Sequence, residues 1–284
     1  MAYATIVAAE TLRARLDDKE WVILDCRHDL ADTGAGLRAY GEAHVPGARF
    51  VHLDEDLSGK KTGRNGRHPL PEPSAFARRV AALGVGNRSQ VVAYDASGGP
   101  YAARLWWMLR WAGHDAVAVL DGGWDAWTKA GFPVTAQVPA PATGAFVPAW
   151  RPALALDLAH VVASAATGQP RLIDARSADR FRGENETLDP VAGHIPGAGN
   201  RFYRLNLAPD GRFKEAAVLR EEFSALPGAS KPAEIAHYCG SGVTACHNLL
   251  AMEIAGLSGS RLYPGSWSEW CSDSSRPVAR GSSS

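Results

Sequence analysis

The chain alternates short, fully apolar runs with longer stretches whose apolar residues recur at helical spacing. Val22–Leu24, Val91–Tyr94 and Ala116–Leu120 are rich in β-branched residues and show no polar alternation, which predicts strands buried on both faces. Between them, Ala75–Leu83 predicts a helix, with Ser74 as its N-cap and Gly84 at the C′ position. Tyr101–Ala112 predicts a second helix, closed by Gly113. The later half follows the same plan. Arg171–Ile173, Glu234–Tyr238 and Arg261–Tyr263 are the strands, and a helix from Gly242 to Ala255 is closed by Gly256. Strands separated by helices predict an α/β architecture, a parallel sheet with helices on both faces.

The two halves also repeat in detail. Val22-Ile-Leu-Asp-Cys-Arg27 returns as Arg171-Leu-Ile-Asp-Ala-Arg176, and His44-Val-Pro-Gly-Ala48 as His194-Ile-Pro-Gly-Ala198. Val92-Ala-Tyr-Asp-Ala96 aligns with Ala236-His-Tyr-Cys-Gly240, and Gly123-Trp-Asp-Ala-Trp127 with Ser266-Trp-Ser-Glu-Trp270. Four collinear matches at a nearly constant offset indicate a duplicated domain. The stretch Gly131–Pro152 holds five prolines and little periodicity. The expected organisation is a first domain over 1–138, a linker over 139–152 and a second domain over 153–284.

Charge excludes some function classes. The 284 residues carry 30 Lys plus Arg and 30 Asp plus Glu, so no basic surplus points to nucleic acid or an anionic membrane. No apolar run reaches the length of a transmembrane helix. Met1–Leu16 lacks a basic leader region and carries Glu10, so no secretory signal is expected. Four cysteines (Cys26, Cys239, Cys246 and Cys271) without a C-x-x-C pair suggest neither a disulfide scaffold nor a zinc site. The expectation is a cytoplasmic protein with no cofactor and no metal.

One segment carries chemistry. In Tyr238-Cys-Gly-Ser-Gly-Val-Thr-Ala245 a cysteine follows a strand and precedes a helix, with two glycines that let the backbone curl. Successive N–H groups in such a loop form an anion-binding nest at the helix N-terminus, which favours a thiolate at Cys239. Cys246, seven residues on along the helix, is too far to bridge Cys239 and is expected in the core. Gly34-Ala-Gly-Leu-Arg-Ala39 matches a dinucleotide fingerprint, but it does not stand at a strand end and no helix is expected after it.

These residues resemble the two-domain rhodanese-like sulfurtransferases. The resemblance spans the chain through both His-[Val/Ile]-Pro-Gly-Ala segments, Tyr94-Asp95-Ala96-Ser97, Arg104-Leu-Trp-Trp107, Asp121-Gly-Gly123 and Gly265-Ser-Trp-Ser-Glu-Trp270. It implies tandem rhodanese-like domains, the first non-catalytic because Asp95 stands at the cysteine position, the second catalytic. The loop is most similar to the 3-mercaptopyruvate sulfurtransferase branch. The implied reaction moves sulfane sulfur from 3-mercaptopyruvate, through a Cys239 persulfide, to a thiol, cyanide or thioredoxin-like acceptor. Ser241 and His44 are implied as helpers in proton transfer, Arg180 as the carboxylate-binding arginine, and Gly240, Gly242, Val243 and Thr244 as the loop around the substrate. The branch's second arginine is missing from Glu184–Val191, with Arg182, Arg201 and Arg67 as candidate replacements. That departure keeps a thiosulfate sulfurtransferase open.

Two other classes stand beside the sulfurtransferase reading. A cysteine phosphatase would need an arginine where this chain has Ala245. A persulfide relay serving a protein acceptor is compatible with the loop.

Overall fold

The computed structural model describes residues 2–141, 143–226 and 231–282. The outer ends of the two expected domains and one residue of the expected linker, Ala142, therefore lie outside the described residues. The chain forms two compact units. The first comprises Met1–Gly59, Pro71–Arg151 and Pro209–Phe213; the second comprises Lys60–Leu70, Pro152–Ala208 and Lys214–Ser284.

In the first unit five strands, β1 (Ile6–Val7), β2 (Trp21–Asp25), β3 (Arg49–Phe50), β4 (Gln90–Tyr94) and β5 (Val117–Leu120), form an all-parallel sheet in the order β1-β5-β4-β2-β3. Its helices are α1 (Ala9–Arg13), α2 (Ala35–Glu42), α3 (Leu53–Asp56), α4 (Pro73–Ala82), α5 (Pro100–Trp111) and α6 (Gly123–Lys129). The second unit has β6 (Arg171–Asp174), β7 (Gly199–Asn200), β8 (Ile235–Tyr238) and β9 (Arg261–Leu262), parallel in the order β7-β6-β8-β9. Its helices are α7 (Leu158–Thr167), α8 (Ala178–Arg182), α9 (Ala216–Ser224), α10 (Thr244–Ile254) and α11 (Ser266–Trp270). Central strands β4 and β8 are buried at every residue, as runs without polar alternation require.

Helix α4 starts at Pro73 after Glu72, two residues earlier than an N-cap at Ser74 implies. Proline at N1 has its φ already set and lacks the N–H that a cap would satisfy. The glycine match at 34–39 lies across α2, a helix the sequence reading did not expect there. A Cβ on Gly36 would stand 1.8 Å from the Arg27 carbonyl oxygen, so this glycine permits close packing against the chain after β2. The proline-rich stretch lies along the first unit: the N–H groups of Gly144, Ala149 and Arg151 donate to the carbonyls of Ala81, Ala112 and Trp111 at 2.8–2.9 Å.

The repeated motifs build the same buttress twice. Asp25 on β2 takes Arg27 through its guanidinium, and Asp174 on β6 takes Arg176 in the same way, with shortest contacts of 2.7 Å. The hydroxyls of Tyr94 and Tyr238 accept from the N–H of Val45 and Ile195 at 3.2 and 3.3 Å. These contacts lock each His-[Val/Ile]-Pro-Gly-Ala turn onto the central strand.

Candidate active site

Cys239 follows β8 directly, and its position is fixed from both sides. Its N–H donates to Ser266 Oγ at 3.1 Å, and its carbonyl accepts from Trp267 N–H at 2.9 Å. The next residue is held likewise, with Ser268 N–H donating to the Gly240 carbonyl at 2.9 Å. The chain then turns through Gly242, at φ +78°, where a Cβ would meet the Pro264 carbonyl oxygen at 2.4 Å. Only glycine fits there. The turn points Gly242 N–H at Cys239 Sγ, 3.1 Å away, just before Thr244 opens α10. Cys239 is 2% exposed, so the sulfur sits at the floor of the loop with an N–H donor and a helix N-terminus facing it.

Ser266 was missed by the sequence reading. It is the one non-glycine residue at positive φ (+55°) among those described, and its hydroxyl donates to the Tyr263 carbonyl while accepting from Cys239. A serine held in left-handed backbone costs about 1 kcal/mol or more, and here its side chain satisfies the Cys239 N–H. The signal lay in the repeat, since Ser266 aligns with Gly123, which has the same φ of +55°.

Ser241 and His44 do not form the expected pair. Ser241 Oγ lies 2.8 Å from Nδ1 of His68, and both side chains are buried. His44 is used otherwise: its Nδ1 meets the Tyr40 carbonyl at 2.7 Å, its Nε2 meets that of Gln137 at 3.2 Å, and its ring stacks on Tyr40. His194 repeats this, with Nδ1 on the Phe181 carbonyl at 2.7 Å and its ring stacked on Phe181. The physical reason for the correction is this shared job, which consumes the ring nitrogens of a histidine that both copies need. His68 belongs to Lys60–Leu70, the first-half segment that is part of the second unit.

That segment also supplies a cation. A Cβ on Gly240 would stand 2.7 Å from Arg67 Nη2 and 3.5 Å from Arg180 Nη2, so both guanidiniums reach the loop. Of the other candidate replacements, Arg182 pairs with Glu184 at 2.7 Å and Arg201 with Glu222 at 2.8 Å. Arg180 pairs with Glu186 at 2.8 Å and lies 3.4 Å from Asp189, while Arg67 is ion-paired to Asp189. Burial pushes the Asp189 carboxyl up, further than the arginines pull it down, and the Glu186 charge adds to the rise. For Glu186 burial also pushes upward, but the Arg180 bond and the Leu188 and Asp189 N–H groups bring it below its ordinary range.

The other three thiols are packed in the interior, Cys271 near Asp189 and Arg67. All four cysteines are unbridged and buried. Cys246 Sγ contacts the Gly242 carbonyl at 3.3 Å inside α10, and burial raises Cys271 to about 11. Among the described residues one group, His28, His52 and Asp54 in the first unit, could approach a metal ion, its donor atoms lying within 4.8 Å of one another. His52 is already committed there, because its Nδ1 accepts from the Asp54 and Glu55 N–H groups as the N-cap of α3 and its Nε2 meets the Thr33 carbonyl.

Comparison with known proteins decides the family. The rhodanese-like domain matches twice, over residues 8–130 and 158–273. The chain belongs to the rhodanese-like sulfurtransferases. It is 47% identical over 285 residues to a probable 3-mercaptopyruvate sulfurtransferase of Pseudomonas aeruginosa, covering 99% of this chain and all of that one. It is 40% identical over 260 residues to the putative thiosulfate sulfurtransferase SseB of Mycobacterium tuberculosis, covering 91% and 90%. The structure of SseA from Escherichia coli, described as a 3-mercaptopyruvate sulfotransferase, superposes with a TM-score of 0.81 at 31% identity, covering 93% of this chain and 99% of SseA. The tandem α/β domains expected from the repeat are thus those of this sulfurtransferase family, and the enzyme class follows from it. No helix among the described residues is long and apolar enough to cross a membrane.

Proposed function

We propose that this sulfurtransferase takes sulfur from 3-mercaptopyruvate and carries it as a persulfide on Cys239. The observation that carries the reading is the Ser241–His68 contact, two residues from Cys239 along the loop that Arg67 and Arg180 flank. The donor's carboxylate sets against the two guanidiniums, whose planar forks suit it. The Cys239 thiolate attacks the donor sulfur, an S–S bond forms, and the carbon–sulfur bond breaks with its electron pair going to the three-carbon fragment. That fragment is the enolate of pyruvate and needs a proton on carbon. The proton leaving the donor thiol balances it, and Ser241 with His68 is placed to pass it on. Gly242 N–H remains aimed at the sulfur chain.

In the second half-reaction a thiolate or cyanide ion takes the outer sulfur and returns Cys239 as thiolate. A thioredoxin-like protein is the acceptor this reading favours among macromolecules, and four unbridged thiols suit a reducing cytoplasm. The substrate contacts fall to Arg180 and to the loop residues Gly240, Gly242, Val243 and Thr244, with Arg67 in place of the missing second arginine.

A thiosulfate donor is the second reading, favoured by the same two cations, which suit a dianion. Thiosulfate needs no proton on its leaving sulfite, so the Ser241–His68 pair would be idle. Turnover of both donors side by side, with Cys239→Ser as control, tests this. Preference for 3-mercaptopyruvate supports the first reading, and preference for thiosulfate replaces it.

A further inference from the structure

The anion site of the second unit is charge-balanced by its own carboxylates. Arg176 is engaged by Asp174 in two-pronged contact, with Glu186 also at 3.2 Å. The two guanidiniums at the loop, Arg67 and Arg180, face Glu186 and Asp189, each of whose carboxylate side chains is 2% exposed. An anionic donor therefore meets two positive charges already cancelled by two negative ones. Of the two carboxylates, Glu186 is anchored by Arg180, by Arg176 and by the N–H groups of Leu188 and Asp189. Asp189 is the one that touches both loop-facing arginines.

We propose that Asp189 is a built-in competitor for the donor's carboxylate, holding Arg67 and Arg180 until an anion displaces it or a proton neutralises it. This rests on the two arginines being the donor's anchor, and it makes Asp189 a specificity-determining residue that sets how strongly the site attracts anions. The cost is weaker donor binding. The gain is that two partly buried guanidiniums are never left uncompensated in the empty enzyme. Burial pushes the Asp189 carboxyl upward, so acid that neutralises it also releases the arginines. The charged and titratable groups facing Asp189 are Arg67 from the 60–70 segment, Arg180 from α8, Arg176 after β6, Glu186 in its own loop, and the Cys271 thiol after α11.

The test uses the full-length enzyme and the rate at which Cys239 is alkylated by iodoacetate and by iodoacetamide. Both reagents need the thiolate, so their rate ratio cancels its titration and reports how the site treats a carboxylate. Asp189→Asn should raise the iodoacetate-to-iodoacetamide ratio by about threefold to tenfold, the scale expected for removing one nearby charge from a partly screened site. In the wild type the ratio should rise as pH falls. In Asp189→Asn that rise should shrink. Glu184→Gln, which neutralises an exposed carboxylate paired to Arg182, should leave the ratio unchanged.

The same Asp189→Asn change should lower the KM for 3-mercaptopyruvate while moving kcat by no more than about twofold. An unchanged or lower ratio in folded Asp189→Asn overturns the proposal. If that variant does not fold, a wild-type ratio that stays flat with pH, or that Arg67→Gln fails to lower, overturns it instead. Because alkylation needs no sulfur donor, failure of 3-mercaptopyruvate turnover would remove the donor reading and leave this result standing on its own.

Discussion

In the first unit the loop after β4 places Asp95 where the second unit has Cys239, and the two loops use one backbone design differently. The Asp95 carboxylate accepts the N–H groups of Ser97, Gly99, Tyr101 and Ala102 at 2.8–3.0 Å, just where α5 begins. The fold's anion nest is therefore stoppered from within by a side chain that cannot leave. In the second unit the corresponding loop aims Gly242 N–H at a sulfur, and Cys239 N–H is drawn aside to Ser266 Oγ. At the aligned position of the first unit, a Cβ on Gly123 would stand 2.4 Å from the Asp95 carbonyl oxygen, so no serine fits. The difference teaches that the duplicated scaffold supplies the nest, while each copy is set apart by what occupies it and by what holds the occupant's backbone.

The comparison can be broken most sharply at the occupant. Cys239→Ser should lower sulfur transfer to cyanide by a thousandfold or more, on the order expected for loss of a nucleophile, with an unchanged thermal transition. Retained thiocyanate formation would mean the second loop is as silent as the first. Next comes the pair of histidines. His68→Ala should lower kcat with 3-mercaptopyruvate by about a hundredfold, the usual scale of a proton-transfer partner. His44→Ala should instead cost stability in denaturant, because its contacts match those of His194.

Acid should also separate the copies. His237 on β8, where β4 has Ala93, is buried and lowered to about 3, by burial first and by the Arg201 charge second. A depressed histidine contributes stability that is whole above its unfolded pKa near ~6.5 and is lost as pH falls toward its folded value. At pH ~5 this amounts to about 2 kcal/mol taken from the second unit. Hydrogen exchange followed unit by unit would check it, and His237→Leu should remove the difference.

Smaller effects test the second unit's fittings. Arg180→Ala and Arg67→Ala should each raise the KM for an anionic donor by about tenfold, a typical loss for one charged hydrogen-bonding partner, with kcat nearly kept. Ser266→Ala should destabilise by about 1 kcal/mol and slow turnover a few-fold, since it leaves Cys239 N–H unpaired in strained backbone. Gly123 offers the internal control, because its copy has no hydroxyl to lose.

Much of this was legible in the chain. The repeated motifs mark the buttress residues Asp25, Arg27, Asp174 and Arg176, and the apolar runs mark β2, β4, β6 and β8, because burial on both faces leaves an unmistakable pattern. The turn of the Cys239 loop could be read from its glycines, with Gly242 at φ +78°. What the sequence did not disclose is long-range. Arg67 and His68 sit in the first half of the chain yet belong to the second unit, and no periodicity records that exchange. His44 misled because a motif repeated in both copies is a structural signature, and the repeat itself was the warning. Ser266 shows the opposite lesson, since its departure from Gly123 carried the information.

The central claim is that sulfur passes through Cys239 and no other thiol. The direct measurement is mass spectrometry of the intact enzyme and its peptides after one equivalent of 3-mercaptopyruvate, without an acceptor. The account predicts one added sulfur atom, located on Cys239 and removed by cyanide, with Cys26, Cys246 and Cys271 unchanged. Sulfur found on another cysteine, or pyruvate released with no sulfur on Cys239, would contradict it.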